Sequence, residues 1–275
     1  MTAGSDLIER AILIAPNSVY LPWMNRLGRW ICWVGALILF GWMCHNLDLR
    51  LDVLVRGFTK LGILTKAMFP PFANGGELRI VQSLLDTFAM AVSGTVLGII
   101  VALPLGIIGA KTVIRNPVIH FGVRRTLDIL RGVPVLVWAL VMISAFGLGP
   151  IAGVIALALA DFPHLSKQFA EAIENSDTRP SQGILASGGN RLAAMRLGLL
   201  PQVVPVMASQ SLYTLESNFR NAAILGVVGA GGIGFELEER IRIFAFDQVA
   251  WIVVAYVISV TVLDWISSQM RSRLV

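Results

Sequence analysis

From residue 132 to residue 160 this chain contains no Lys, Arg, His, Asp or Glu. A soluble helix or half-buried strand keeps a polar face for water, and a run this long leaves none. A bilayer-crossing helix needs about 20 mostly apolar residues to cover roughly 30 Å of hydrocarbon. The run is interrupted at Gly147-Leu148-Gly149-Pro150, which has the composition of a turn. Charge decides between one span and two. The segment before the run carries Lys111, Arg115, Arg124, Arg125 and Arg131; the segment after it carries Lys167, Arg179, Arg191 and Arg196. Both basic segments read as cytoplasmic, so the chain goes out and returns. Two spans around a tight turn are expected, the second continuing through Asp161 to Ala172.

The rest of the chain repeats the theme. It is 56% hydrophobic and 14% charged, against about a quarter charged in soluble domains. A first span is expected around Trp30–Cys44, with Trp23, Trp30, Trp33 and Trp42 as interfacial aromatics. A second is expected from Thr87 to Ala110, where Gly94, Gly98, Gly106 and Gly109 suit close helix packing and Pro104 predicts a kink. A fifth follows Pro201 and a last covers Val249–Ile266. The expected fold is all-α: a polytopic membrane protein of about six transmembrane helices, with a cytoplasmic segment at residues 1–28 and a permease domain at 29–275. Residues 48–86 form an outer loop in this scheme, and both termini are cytoplasmic.

Several function classes are excluded. The net charge of +5 is spread through short segments between apolar runs, unlike the clustered basic face of a nucleic-acid binder. Cys32 and Cys44 lie inside the first apolar run, and His45, His120 and His164 are scattered, so no metal site is expected. The run Gly229-Ala230-Gly231-Gly232-Ile233-Gly234 fits G-x-G-x-x-G, but no βαβ unit surrounds it. Close backbone packing or an extended stretch at the membrane edge is the better reading of Gly229, Gly231, Gly232 and Gly234. There is no Walker-type phosphate loop and no catalytic constellation, so no catalytic residue and no cofactor is assigned to this chain.

Two regions stand out. Residues 173–201 form the longest expected cytoplasmic stretch, and Ile184, Leu185, Leu192, Met195 and Leu199 recur in it at helical spacing. Gly188 and Gly189 in its middle predict a turn between two short helices, where a partner approaches closely; an ordinary surface helix is the alternative. In the fifth span, Ser209, Gln210, Thr214, Asn218 and Asn221 are candidates for lining a route. Glu216 and Arg220, four apart, read as an i,i+4 ion pair or as substrate contacts.

These residues together resemble the inner-membrane permease subunits of bacterial ABC importers, the phosphonate importer permeases in particular. The family's loop pattern E-A-A-x3-G-x9-I-x-L-P falls on Gln182-Gly183-Ile184, Gly188, Gly198, Leu200 and Pro201. Gly188, Leu200 and Pro201 match it; the opening Glu-Ala-Ala and the Ile do not. Leu84–Val92, Arg131, Pro134, Trp138–Leu140, Phe169–Asn175 and Ala222–Gly234 are also similar to the family's pattern. The resemblance implies a homodimer of permease copies in the cell inner membrane, two ABC ATPase subunits that hold ATP and Mg, and an external substrate-binding protein. It also implies a coupling helix built from Ser187, Gly188, Gly189, Asn190 and Arg191, with Leu200 and Pro201 behind it. Methionine-type permeases share the glycine-rich segment and remain an alternative. A secondary transporter working alone is another, although its usual internal repeats are missing.

Overall fold

The computed structural model describes residues 23–47, 51–113 and 116–274, and among them there are helices and turns but no strand. The described chain divides into two compact units, one ending at Lys66 and one beginning at Ala67. Of the cytoplasmic segment expected at residues 1–28, residues 1–22 lie outside the described residues and 23–28 belong to the first helix.

The first unit holds α1 (Trp23–Asn46) and all but the last residue of α2 (Leu51–Ala67). Helix α1 contains the whole first expected span, and its 24 residues reach about 36 Å. Helix α2 is a correction, since a loop was expected there. Asp52 and Arg56 pair at i,i+4, and the hydroxyls of Thr59 and Thr65 donate to carbonyls one turn back. These local interactions suit a helix as well as they suit a polar loop.

The second unit begins with α3 (Glu77–Gly109), ten residues ahead of the expected start and continuous through Pro104. It then runs through α4 (Pro117–Arg131), α5 (Val135–Phe146) and α6 (Pro150–Glu174). Asn116 caps α4 by accepting the Val118 N–H at 3.0 Å, and Pro117 occupies its first turn. The turn foreseen between the paired spans is present, with Gly147 and Gly149 at φ of 85° and 143° and Pro150 opening α6.

The third expected span takes a different shape. Helix α5 has 12 residues, about 18 Å, and cannot cross a bilayer by itself. It is bent by 84° from α4, and together the two are long and apolar enough for one broken span. Three helical stretches pass the same test alone: Glu77–Gly109, Arg191–Ala230 and Phe246–Arg273. Helix α6 is long enough at 25 residues but carries Asp161, His164, Lys167 and Glu171. Such a helix crosses lipid only with those groups turned toward protein or a hydrated cavity.

The centre of this unit is α3 packed on α6. A Cβ on Gly94 would lie 2.7 Å from Leu157 Cβ, and one on Gly106 would lie 2.8 Å from Phe169 Cβ. Small residues on one helix thus receive large ones from the other, which is how helices approach closely in lipid. Leu97, Ile100, Leu103 and Ile107 of α3 remain exposed, as an acyl-chain-facing surface requires.

After α6 come α7 (Arg179–Ala186) and α8 (Arg191–Ala193). A π-helical stretch, Ala194–Leu199, joins α8 to α9 (Leu200–Leu225) without a break. Pro201 was expected to mark where a new helix begins; the helical backbone instead passes through it. Pro201 falls in the first turn of α9, directly after the π-helical register, where its missing N–H is tolerated. A second π-helical stretch, Gly226–Ala230, leads into α10 (Gly232–Arg242), and α11 (Phe246–Leu274) closes the unit.

Candidate functional site: a polar chamber between α6 and α9

The chamber is built around one carboxylate. Asp161 lies about 16 Å along α6 from the turn at Pro150, roughly half the thickness of a hydrocarbon core. Asn218 of α9 is wholly buried. Its Nδ2 donates to Asp161 Oδ2 and, at 2.8 Å, to Thr95 Oγ1 of α3. Thr95 in turn donates to the Ala91 carbonyl at 2.7 Å. Three helices are thereby tied through one buried polar chain, which is how a polar group is kept inside a membrane domain.

Beside this network is a cavity of about 330 Å³, lined by Arg131 and Pro134 from the α4–α5 bend, Asp161, His164 and Gln168 from α6, and Tyr213, Thr214, Ser217 and Asn221 from α9. A second cavity of about 390 Å³ shares Gln168 and extends toward Glu171, Asn175, Asp177, Gln202 and Gln210. The two form a polar course along the α6–α9 seam, from mid-span to the loop that follows α6. The 84° bend between α4 and α5 brings Arg131 to this seam. Two ion contacts hold α4 in place: Arg124 donates both bonds of a bidentate pair to Glu174 at 2.8 and 2.9 Å, and Lys167 meets Asp128 at 3.1 Å.

The candidates in the fifth span separate into three groups. Thr214 and Asn221 line the chamber, and Gln210 lines the second cavity. Asn218 belongs to the buried network, while Ser209 Oγ and Gln210 Oε1 are buried without a hydrogen-bond partner among the described residues. Glu216 and Arg220 do not pair with each other, and this corrects the i,i+4 expectation. Glu216 pairs with Arg271, and Arg220 meets Asp264 at 3.3 Å. Helix α11 supplies both partners, so the charges fasten α9 to α11. The reason is packing, since Phe219 stacks on Tyr256 with ring centroids 5.8 Å apart and seats α11 against this face of α9.

The loop after α6 takes the expected form of two short helices and a turn. Gly188 has φ of 88°, a left-handed conformation that favours glycine, and it faces open space. The Gly189 N–H donates to the Ile184 carbonyl, and Asn190 caps α8 by accepting the Ala193 N–H at 2.8 Å. Ser187 and Arg191 are exposed beside the turn, and Leu200 is 46% exposed behind it. Gln202 was missed by sequence reasoning. It accepts the Asp177 N–H at 3.0 Å and donates to the Asp177 and Gly198 carbonyls at 3.1 and 2.6 Å, pinning the loop's base to α9. Gly198 stands where the resembling family has Ile. A Cβ there would meet the Ser181 backbone at 2.8 Å, so α7 lies too close to admit a side chain.

The glycine-rich segment is a tight reversal with close backbone packing, and not an extended stretch. A Cβ on Gly234 would fall 1.9 Å from the Ala223 carbonyl oxygen. Gly229, Gly231 and Gly232 all adopt positive φ within the same reversal. The Ile233 N–H donates to Thr87 Oγ1 at 2.8 Å, and Arg79 bridges Glu236 and Glu239 at 2.6 and 2.9 Å. Helix α10 is therefore fixed to the first three turns of α3.

A helical unit with membrane-span candidates and a polar seam through its core has the architecture of a membrane transport protein. Residues 94–274 match the family described as binding-protein-dependent transport system inner membrane component, and the chain belongs to that family. It is a multi-pass transport subunit of a non-catalytic class. It is 34% identical over 254 residues to the phosphite transport system permease protein PtxC of Stutzerimonas stutzeri, covering 92% of this chain and 91% of that one. It is 36% identical over 218 residues to the phosphate-import permease protein PhnE of Mycolicibacterium smegmatis, covering 79% of this chain and 41% of that longer one. In fold it is similar to the inward-facing MetNI methionine ABC transporter, with a TM-score of 0.65 at 20% identity over 74% of this chain and all of that one. A crystal structure of an amino acid ABC transporter with histidines aligns with a TM-score of 0.55 at 18% identity, over 78% of this chain and 98% of that one.

Proposed function

We propose that this chain is the permease subunit of an ATP-driven ABC importer and forms the translocation pathway for phosphonate, phosphite or a related phosphorus oxyanion. The observation that carries the substrate class is the chamber at mid-span, where Arg131, His164, Thr214, Ser217 and Asn221 offer cationic or hydrogen-bonding groups. An oxyanion crossing the bilayer needs such groups in place of its hydration shell. The names of the relatives support the same chemistry, since PtxC is a phosphite and PhnE a phosphate permease protein. The methionine alternative draws support from likenesses at 20–22% identity, weaker than those to the phosphite and phosphate permease proteins.

In this reading the loop around Gly188 is the coupling helix, docking into an ABC ATPase that holds ATP and Mg. Leu192, Met195 and Leu197 are 74%, 49% and 65% exposed on it, an apolar surface of the kind a partner covers. Closure of the ATPase pair rocks α9 through the continuous helical backbone from α8. A second permease copy completes the pathway, an external binding protein delivers the substrate, and both termini face the cytoplasm. This chain itself needs no cofactor.

The test is uptake of radiolabelled phosphite and methylphosphonate by a strain carrying this chain with its neighbouring transport components, compared with a deletion strain. Loss of uptake on deletion and its return on complementation is the expected result. Intact growth of the deletion strain on both compounds as sole phosphorus source, with no redundant system present, would remove the substrate class.

A further inference from the structure

The walls of the chamber are chemically unequal. Arg131, Ser217 and Asn221 can donate hydrogen bonds into it and Thr214 Oγ1, which donates to the Gln210 carbonyl, lines it, whereas Asp161 brings a carboxylate. Among the described residues no Lys or Arg lies within ion-pair distance of Asp161. Asn218 is 0% exposed and its Oδ1 accepts no hydrogen bond, although its Nδ2 is fully engaged with Asp161 and Thr95. A half-buried carboxylate and a buried amide oxygen thus sit together with acceptors in excess of donors. Buried acceptors without donors are costly, and a ligand that brings a proton relieves that cost.

The surroundings leave few other sources for that proton or for a countercharge. On α3 the nearest neighbours are Thr95 and Gly98, where a Cβ would already stand 3.2 Å from Asp161 Cβ. On α6 the neighbouring titratable group is His164, and on α9 it is Tyr213. From α4 comes Arg131, itself 3.6 Å from Asp128, which also binds Lys167. Helix α5 contributes Val135 only. Glu216 and Arg220 are turned away to their partners on α11.

We propose that Asp161, held by Asn218, makes the chamber select a tetrahedral oxyanion that still carries one proton, such as hydrogen phosphite or a hydrogen phosphonate, over its fully ionised form. This rests on the proposed substrate class and adds the residue that discriminates within it. No covalent bond changes. One proton is shared between a phosphorus-bound oxygen and the Asp161 carboxylate, while Arg131 and the hydroxyl and amide donors take the remaining oxygens. A fully ionised anion sets two negative charges against a third, with no proton between them, and is repelled.

The test uses the complete transporter, with its ATPase and binding protein, reconstituted in liposomes, with the binding protein kept saturated with phosphite at every pH. The readout is phosphite moved per ATP hydrolysed. In the wild type this ratio falls about tenfold for each pH unit above the second ionisation of phosphite. Asp161→Asn lowers the ratio at low pH, where the shared proton is lost, and flattens the fall to less than about twofold per unit, because an amide does not repel the dianion. Asp161→Glu retains the wild-type slope. A wild-type ratio that does not fall overturns the proposal, as does an Asp161→Asn slope equal to that of the wild type. If Asp161→Asn fails to assemble, the wild-type and Asp161→Glu slopes decide alone. A complex that assembles and moves neither phosphite nor methylphosphonate at any pH removes the substrate class itself. That result is distinguishable from transport with an unaltered slope, which removes only the role of Asp161.

Discussion

The two ends of α9 both depend on glycine, for opposite reasons. At the reversal after Leu225, Gly226 and Gly234 are enclosed by backbone, and an added Cβ would lie 2.4 Å and 1.9 Å from carbonyl oxygens. At the loop before α9, Gly188 has nothing within 4 Å of where a Cβ would be, and only its φ of 88° calls for glycine. One end is filled by its own chain; the other keeps a shaped surface open. The chain thus has an internal joint where α9 meets α3 and α10, and an open turn at the loop, where the proposed function places a partner. Force arriving at the loop would travel along α9 and past the chamber to reach the packed end.

Substitutions can break this contrast. Gly234→Val is expected to have the largest effect, a loss of folded protein on the order of 4 kcal/mol or more, because the Ala223 carbonyl cannot yield without unwinding the end of α9. Recovery of monodisperse protein after mild-detergent extraction would measure it, and near-normal yield would show the packing to be looser than described. Glu216→Ala comes next, at roughly 3 kcal/mol, since it strands Arg271 beside α9. Thermal unfolding in detergent should fall accordingly, and the double variant Glu216→Ala with Arg271→Ala should recover part of the loss.

Gly188→Ala belongs to the open end. It should cost about 1–2 kcal/mol from backbone strain alone and leave insertion intact. Gly188→Trp should add a functional loss: ATP hydrolysis continues while uptake falls. Uptake at wild-type level in that variant would sink the coupling role of the loop. The smallest effect is expected at Arg220→Gln. Its ion pair with Asp264 is over two-fifths exposed at both partners and is worth less than about 1 kcal/mol.

Much of this architecture was legible in the sequence wherever one residue type carries one physical consequence. The uncharged run split by Gly147 and Pro150 predicted the turn between two apolar helices, and Gly94 and Gly106 predicted close packing along α3, though not the helix it meets. Gly188 and Gly189 predicted the turn in the loop. What could not be read depends on which helices become neighbours. Glu216 and Arg220 have suitable spacing for each other, but α11 competes for both and wins. The chain linking Thr95, Asp161 and Asn218 joins residues 123 and 57 positions apart, and no local pattern announces it. Gln202 is an ordinary polar residue until the loop folds back to place Asp177 beside it. Helix α2 was missed because local side-chain interactions, with no break in composition, distinguish it from an outer loop.

The central claim, that the loop at Gly188 is the joint to an energising partner, is tested most directly by site-specific crosslinking in native membranes. With Cys32 and Cys44 replaced, a single cysteine at Ser187 should crosslink to an ABC ATPase subunit, and a single cysteine at Gly147, in the turn at the far end of α6, should not. A crosslink from Gly147 in place of Ser187, or none from Ser187 in a membrane that still transports, would contradict the account.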